Sequence, residues 1–586
     1  MGTISDKLMR IINTKEDIRQ ALISKGYDVP TSIPFKEYAK MISDLPCRVD
    51  SFPDIEGIVA RYSALGLTNE QMAANPVWVD KTGNGHDLQM KNFAWKEGSG
   101  ISDIYPGALV FDGVDDWAGC DNLPLLPKEK GYSIIALRNW ITRYDATQYK
   151  RPLISNLDTN DEGAFLIEYR KDENVNDVTG SYNSFTDVYI DGNNPITWQT
   201  SSSYNGQIIK KGTSKSSNKL CICKTYFGQL SNYANAAIWE IVILDHDATE
   251  EELTKIKDYF VKTYPWLFFD QAWTVTGKTN EDEDRATIAN ITGNDNDLVL
   301  SNFGFAEGSG YGLYAENYAG GRWVQSTDRA DLTWTSYSVN ITSVKVASTQ
   351  LYYQSYPEQP SFTVPSYKIK VYGLKDGQTL SYKQVTSEGQ QIYKISEDGT
   401  YTLPSFPFKA NGDWYGFTLD KKQETCDITI EQIPEYEGYL VTDGVDDKVQ
   451  SSSFTMNEDW TIIGDWELLS NVQINCGIVK AQNVYLYNIA NGLLISINNP
   501  RSLQSFGTKS LHAICSDGRL YDRNWVEYEY TVDQNFAIVE SSLNIGFNLN
   551  NYTQIAFKNL GIYNNQILSK DDCIKAYNYL QTLKAK

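Results

Sequence analysis

The chain contains nearly the same acidic hexapeptide twice, FDGVDD at 111–116 and TDGVDD at 442–447. Such a glycine-centred group can bind a hard cation, supply paired catalytic carboxylates, or form a tight turn whose aspartates accept backbone N–H bonds. The turn is our first interpretation, because glycine permits the conformation and aspartate stabilises it. Calcium is the alternative. Its predicted ligands are Asp87, Asp112, Asp115 and Asp116 in the first copy and Asp297, Asp443, Asp446 and Asp447 in the second.

Other patterns of catalytic residues are missing from the sequence. Three histidines leave little for acid–base chemistry, and there is no G-x-S-x-G, Walker or zinc-protease motif. The eight cysteines are scattered. Cys221 and Cys223 have no second pair to complete a zinc site, so we expect buried free thiols. The sequence predicts a protein that is not an enzyme and needs no cofactor, with calcium as the one alternative.

Three tryptophans of the first copy are candidates for glycan binding: Trp78, Trp95 and Trp117. Sugar rings stack on exposed aromatic faces, and carboxylates or amides bind their hydroxyls. Packing in the core is the competing interpretation for each of these side chains.

Composition and charge exclude several classes of partner. The formal charge of −22 over 586 residues repels nucleic acids and anionic lipid surfaces. There is no apolar run of 18 residues, so no membrane span is expected, and MGTISDKLMRIINTKED lacks the features of a signal peptide. We expect synthesis in a cytoplasm, with no nucleic-acid or membrane partner.

The hexapeptides belong to a longer repeat that must position them. TGNGHDLQMKNFAWKEGSG at 82–100 and TGNDNDLVLSNFGFAEGSG at 292–310 share 11 of 19 residues without a gap. IWEIVILDHDATEEELTKIKDYF at 238–260 resembles KNLGIYNNQILSKDDCIKAYNYL at 558–580, a strand followed by an N-capped amphipathic helix. The chain therefore holds two copies of one domain.

The second copy is interrupted. Twelve residues separate Gly100 from Asp112, whereas 133 separate Gly310 from Asp443. The extra segment has its own strand patterns, such as YKIKVYGL and CDITIEQI. These patterns predict a small β-sandwich inserted at a surface turn. Aromatic and β-branched runs divided by Gly, Asn and Asp elsewhere predict antiparallel two-sheet sandwiches.

The N-terminal segment differs from the repeats. Thr14 begins a predicted helix and Pro34 begins a second, each with apolar residues at helical spacing. Two short helices cannot bury a core by themselves, so they require a partner chain or the following domain. The predicted assembly residues are Ile18, Leu22, Phe35, Tyr38 and Ile42.

The repeat resembles the laminin-G-like branch of the concanavalin-A-like jelly rolls, on the blocks VDKTGNGHDLQ, ALVFDGVDDW and EIVILDHDATEEELTKI. The whole chain resembles fibre-type virion proteins of crAss-like Bacteroides phages. The resemblance implies a mainly β architecture of two such jelly-roll sandwiches after a short N-terminal helical module, the second interrupted by an inserted small β-sandwich. The predicted units are a helical attachment or oligomerisation module at 1–46, a first jelly roll at 58–268, a second at 272–312 and 436–586, and the inserted sandwich at 313–435.

The implied function is that of a structural virion protein, in a head or a tail fibre. On the virion surface it displays lectin-like domains for decoration or for adhesion to host or mucosal glycans. The implied partners are other virion proteins, contacted through the N-terminal module, and further copies of the chain in a dimer or trimer. The alternative is a bacterial surface glycan-binding protein or polysaccharide depolymerase.

Overall fold

The computed structural model describes residues 52–585 with gaps. The predicted helical module at 1–46, with Ile18, Leu22, Phe35, Tyr38 and Ile42, lies outside the described residues. Within 52–585 the description omits 127–131, 142–149, 159–165, 171–177, 180–186, 190–195, 201–216, 228–231, 293, 307, 326–327, 356–359, 388, 410–411, 470–475, 482–483, 490–491, 498–503, 507–510, 530–538, 546, 549–550 and 553.

The first repeat forms two antiparallel sheets. Its strands in the described residues are β1 (Ile58–Ser63), β2 (Val77–Trp78), β3 (Leu88–Lys91), β4 (Gly100–Ile101), β5 (Leu109–Asp112), β6 (Trp117–Cys120), β7 (Ser133–Trp140), β8 (Lys150–Ser155), β9 (Leu166–Arg170), β10 (Val178–Thr179), β11 (Asp187–Tyr189), β12 (Ile196–Thr200), β13 (Leu220–Ile222) and β14 (Asn235–Leu244). One seven-stranded sheet has the order β11-β12-β7-β14-β5-β4, with β1 also paired to β14, and the other has the order β10-β9-β8-β13-β6-β3-β2.

Strand β14 shows why this sandwich has a covered outer face. Its sequence NAAIWEIVIL is buried at nine of ten positions. Ile238, Ile241 and Ile243 face the core between the two sheets, whereas Trp239 and Val242 join a second cluster outside them. A continuous apolar run is expected for a strand that is buried on both faces.

The second repeat has the same arrangement with longer strands. Before the insert are β15 (Gln271–Thr274), β16 (Thr287–Ile288), β17 (Leu298–Ser301) and β18 (Gly310–Leu313). After it are β31 (Glu435–Val441), β32 (Lys448–Met456), β33 (Trp460–Leu468), β34 (Cys476–Ala481), β35 (Val484–Ile489), β36 (Gly492–Ile497), β37 (Gln504–Phe506), β38 (Leu511–Cys515), β39 (Arg519–Asp522), β40 (Glu527–Glu529), β41 (Val539–Ile545), β42 (Phe547–Asn548), β43 (Asn551–Tyr552) and β44 (Ile555–Asn564).

Two eight-stranded sheets result, one in the order β18-β31-β44-β33-β38-β39-β40 with β15 paired to β44, the other in the order β16-β17-β32-β41-β34-β35-β36-β37. Strand β18 pairs with β31, so Leu313 lies opposite Glu435 and the two ends of the intervening segment are adjacent.

The intervening segment is a sandwich of two five-stranded sheets. Its strands are β19 (Trp323–Gln325), β20 (Ala330–Trp334), β21 (Ser338–Val344), β22 (Thr349–Tyr353), β23 (Phe362–Val364), β24 (Tyr367–Tyr372), β25 (Leu380–Thr386), β26 (Gly389–Ile395), β27 (Gly399–Leu403), β28 (Phe406–Phe408), β29 (Trp414–Leu419) and β30 (Ile428–Ile433). The sheet orders are β19-β22-β29-β25-β26 and β20-β21-β30-β24-β27, and β23 pairs with β28. In β24, YKIKVY alternates buried and exposed residues, as expected for a sheet with one solvated face.

The described residues form the helices α1 (Asn69–Ala74), α2 (Glu250–Thr263) and α3 (Lys570–Thr582), with a 3-10 turn at Pro265–Leu267. Helices α2 and α3 contribute to the cluster outside the sheets, whereas Met72 of α1 packs in the core of the first repeat. The predicted N-cap of α2 is confirmed and is a capping box, because Thr249 accepts a bond from Glu252 N and Glu252 accepts one from Thr249 N. Ser569 caps α3 by accepting a bond from Asp572 N.

The two repeats share an apolar layer that contains residues of both. The ring of Trp239 on β14 meets the ring of Tyr579 on α3 edge-on at 5.9 Å. The Tyr563 hydroxyl of the second repeat donates a 2.9 Å bond to the Trp266 carbonyl that follows the first. Because buried residues of both repeats form a single apolar cluster, the two repeats pack against each other. The predicted mainly β architecture of antiparallel sandwiches is thus confirmed. No helix of the described residues is long and apolar enough to span a membrane.

Candidate functional site

The two acidic hexapeptides form the same corner in both repeats. Each one links a strand of one sheet to a strand of the other, β5 to β6 and β31 to β32. Gly113 and Gly444 have φ of +76° and +74°, the left-handed region that favours glycine. The chain thus crosses between its sheets on a turn that needs glycine.

Hydrogen bonds show what the aspartates do in this corner. Oδ1 of Asp112 accepts bonds from the backbone N–H groups of Val114, Asp115 and Asp116, at 2.7, 3.2 and 3.3 Å. Oδ2 of Asp116 accepts a 3.0 Å bond from Asp112 N. The second copy repeats this pattern within about 0.3 Å, with Asp443 and Asp447 as acceptors. The carboxylates therefore stabilise a turn, as in our first interpretation.

Burial also raises the pKa of one carboxyl group in each corner. Asp116 and Asp447 are 0% and 1% exposed. Burial raises the pKa of Asp116 to about 6 and that of Asp447 to about 7, despite hydrogen bonds that act in the opposite direction. Near neutral pH these carboxyls are partly protonated, whereas a calcium ligand must be ionised.

The structure groups three of the four predicted calcium ligands of the first repeat. Carboxylate oxygens of Asp112, Asp115 and Asp116 lie within 4.8 Å of one another, and the same holds for Asp443, Asp446 and Asp447. Asp87 is outside this group. It accepts a 2.8 Å bond from Asp80 N, as Asp297 does from Asn290 N at 2.7 Å. Calcium at these corners stays a prediction.

The three predicted glycan-binding tryptophans do not form one site. Trp78 is 1% exposed and its Nε1 donates to the Ser63 carbonyl, so its ring belongs to the core. Trp95 stacks on Phe93 at 4.9 Å and is half-buried. The half-buried ring of Trp117 has the Lys224 ammonium 4.0 Å from its centroid. In the described part of the chain each of these indole rings contacts a Tyr or Phe ring, and no two of them contact each other.

His246 is held at the start of helix α2. Its Nδ1 is 3.1 Å from Asp245 and its Nε2 is 3.2 Å from Glu252, which pairs with the N-cap residue Thr249 in the capping box of this helix. Burial lowers the pKa of His246, but the two carboxylates outweigh burial and raise it above the ordinary value. Because Glu252 is committed to the cap, this group is a structural one.

A cavity of about 720 Å³ lies where the inserted sandwich meets the second repeat. Its walls come from segments far apart in sequence. The second repeat contributes Leu313, Pro434, Glu435 and Glu437, and the inserted sandwich contributes β23, the start of β24 and aromatic residues of β22 and β29. A volume of about 300–1,000 Å³ is typical of small-molecule sites.

Aromatic side chains form much of the wall. Tyr353 stacks on Tyr415, with ring centroids 5.1 Å apart and planes at 13°. Phe362 meets Tyr353 edge-on at 6.1 Å, and both are half-buried. Tyr314, also half-buried, stacks on Tyr337 at 5.5 Å. The wall therefore offers apolar ring faces that strands of the insert hold in place.

Glu316 provides a buried carboxylate in the same wall, at 5% exposure. Its Oε1 accepts a 2.7 Å bond from the Tyr415 hydroxyl, and its Oε2 accepts a 3.0 Å bond from Trp323 Nε1. Burial, and then the charge of Glu316, raise the pKa of Tyr415 far above its ordinary value. Tyr415 therefore stays protonated, and its hydroxyl hydrogen is the one donated to Glu316.

Sequence reasoning did not find this cavity. Its residues carry no short motif, and Glu316 and Tyr415 are separated by 99 positions. The only feature of the sequence that could have indicated a binding cavity is the high tyrosine content of the inserted segment, and tyrosines packed in a core would explain that content equally well.

Comparisons with known proteins give little similarity. No family model and no curated protein matches the chain. A Trypanosoma rangeli sialidase in complex with 2,3-difluorosialic acid matches at 11% identity and a TM-score of 0.23, over 43% of this chain and 39% of the sialidase. Another structure of the Trypanosoma rangeli sialidase matches at 8% and 0.20, over 73% and 93% of the two chains. NanB with Optactamide matches at 8% and 0.17, over 70% and 78%.

The first of these matches spans well under two thirds of the sialidase chain. The prediction that the protein is not an enzyme is contradicted by the comparisons, because the solved structures that match include those of a Trypanosoma rangeli sialidase, which is an enzyme. We withdraw that prediction. A similarity this low assigns neither an activity nor a catalytic residue to this chain.

Proposed function

We propose that the protein binds carbohydrate in the cavity between the inserted sandwich and its second repeat. The observation that carries this proposal is the cavity itself, with ring faces from Tyr314, Tyr353 and Phe362 beside the buried carboxylate of Glu316. Apolar ring faces stack on the C–H faces of sugars, and a few placed polar groups bind the hydroxyls.

The experiment is a calorimetric titration of the full chain with a panel of soluble oligosaccharides. Tyr314→Ala and Phe362→Ala should each weaken binding by about tenfold, because each removes one stacking face. Tyr372→Ala is the matched control, since Tyr372 is 39% exposed on the same sandwich and does not line the cavity. Equal loss in the control, or no loss in either cavity variant, would contradict the proposed site.

We further propose that each repeat is a laminin-G-like jelly roll. Support comes from the three sequence blocks that occur in the same order twice and from the shared corner between the two sheets of each repeat. An experimental structure of either repeat tests this topology directly.

The finer proposal places this binding activity on a virion, in a head or tail fibre. The N-terminal segment would attach the chain to other virion proteins and join copies into a dimer or trimer. This virion proposal is supported by the sequence resemblance to fibre-type virion proteins. Antibody labelling of intact particles should show the protein on their surface, and deletion of residues 1–46 should leave folded repeats that no longer join the particle.

The alternative is a bacterial surface glycan-binding protein or a polysaccharide depolymerase. Labelling of bacterial cells in place of particles would favour this alternative. Release of new reducing ends from a polysaccharide would identify a depolymerase.

A further inference from the structure

The charges around the cavity distinguish between classes of sugar. Its ionisable lining residues, apart from tyrosines, are Glu316, Lys368, Glu435 and Glu437. Three carboxylates thus face one ammonium group. Glu435, Glu437 and Lys368 are exposed at the rim, whereas Glu316 is buried at the wall.

The buried carboxyl group of Glu316 lies in the wall beside aromatic rings. Two hydrogen bonds, from Tyr415 and Trp323, hold its carboxylate in place. Burial raises the pKa of Tyr382 behind the wall, and the Glu316 charge raises it further. A carboxylate in a partly dry site acts more strongly on a ligand charge than one in water does.

The aromatic faces of the cavity also favour a positively charged group on the ligand. The face of an aromatic ring carries partial negative charge, so it attracts an ammonium group placed over it. Tyr353 and Phe362 offer such faces within the same cavity as Glu316. Rings and carboxylates together favour a cation, whereas a sugar carboxylate would meet two or more like charges.

We infer that the ligand of this cavity is an amino sugar with a free amine, and not a sialic acid or a uronic acid. This inference rests on the proposed carbohydrate-binding function and names the class of sugar for that same site. The ammonium group would lie beside Glu316, with Glu435 and Glu437 at the entrance.

The test compares three soluble probes by calorimetry at pH 6 and moderate salt: a glucosamine trisaccharide, its fully N-acetylated form, and sialyllactose. We expect the free-amine trisaccharide to bind at least about tenfold more tightly than the acetylated one, and sialyllactose not to bind. Added salt should weaken binding of the free-amine form more than that of the acetylated form.

Two variants test the role of the rim carboxylates. Glu435→Gln combined with Glu437→Gln should reduce the preference for the free amine several-fold, because both side chains are exposed and their loss leaves the fold intact. Glu424→Gln is the control, since Glu424 is exposed on the same sandwich and does not line the cavity.

The outcomes separate this inference from the proposed function. Equal or tighter binding of the acetylated probe, or tighter binding of sialyllactose, overturns the amine preference and leaves carbohydrate binding standing. Binding of none of the three probes nor of the wider oligosaccharide panel contradicts the proposed function, and the inference with it.

Discussion

The hydroxyl of Tyr415 donates a 2.7 Å hydrogen bond to Oε1 of Glu316, a residue 99 positions earlier in the chain. This bond joins strand β29 of the inserted sandwich to the segment that leads into it from β18. Because Glu316 is only 5% exposed, its carboxylate oxygens must receive their hydrogen bonds from groups within the protein.

We predict that Tyr415→Phe destabilises the inserted sandwich by about 1–3 kcal/mol, the usual cost of leaving a buried polar group without its partner. Denaturant unfolding measures the change. Tyr372→Phe is the control, because Tyr372 is 39% exposed and its hydroxyl is 3.4 Å from Glu431. A double-mutant cycle with Glu316→Ala, which removes the acceptor, should give a coupling free energy above about 0.5 kcal/mol, and additive effects would contradict the role of the bond.

The corner at Gly113 allows a test of turn against metal site. A Cβ on Gly113 would lie 2.8 Å from Asn235 Cβ, at a φ of +76°. Gly113→Ala should therefore destabilise the first repeat by about 1–3 kcal/mol. Gly107→Ala is a matched control, with a φ of +73° and open space around its Cβ, so it should cost less. Asp115→Asn at the exposed position should stay within about 0.5 kcal/mol.

Melting with calcium and with chelator completes the comparison. The turn interpretation predicts the same melting temperature in both. A loss of many degrees on chelation, abolished by Asp115→Asn, would instead establish a calcium site, because bound metal stabilises the folded state.

The raised pKa values of Asp116 and Asp447 predict a dependence of stability on pH. Their folded values of about 6 and about 7 exceed the ordinary value of about 3.9. Their contribution to stability is therefore full below about pH 4 and is lost as the pH rises through 6 to 7. Between pH 5 and pH 8 the melting temperature of the wild type should fall.

Asp116→Asn combined with Asp447→Asn should flatten this fall, because an amide stays neutral and still accepts the backbone N–H bond. His246, whose pKa is also raised, contributes with the same sign in both proteins, so the difference between wild type and variant isolates the corners. An unchanged slope in the variant would show that these carboxyls do not titrate in this range.

Removal of the insert should leave the two repeats folded. Leu313 lies opposite Glu435 in the β18–β31 pair, so a two-glycine linker can replace residues 315–433. We expect the melting transition of the repeats to persist within a few degrees, and binding of the oligosaccharide probes to be lost with the cavity. Loss of the cooperative transition in calorimetry would mean that the insert is part of the core of the second repeat.

Much of the architecture followed from local patterns in the sequence. The recurrence of TGN…NF…EGSG indicated a repeat, and the unequal spacing to DGVDD indicated an inserted segment, because both depend only on positions along the chain. The cap at Thr249 and the turn at Gly113 were also predictable, since each involves atoms within a few residues of one another. The turn explains why the hexapeptide occurs twice: each repeat must cross once from one sheet to the other at this point.

Tertiary structure alone decided which aromatic and acidic side chains come together. From the sequence alone, Trp78 could be an exposed ring for sugar stacking or a core residue. In the fold other residues pack over it, and it is buried beside Tyr62. Asp87 leaves the acidic group because its loop turns it toward Asp80 N. The cavity residues Glu316, Phe362 and Tyr415 lie on separate strands and linkers, and no periodicity along the chain encodes the distance between them. Their meeting depends on how two sheets of the insert pack against each other and against the second repeat.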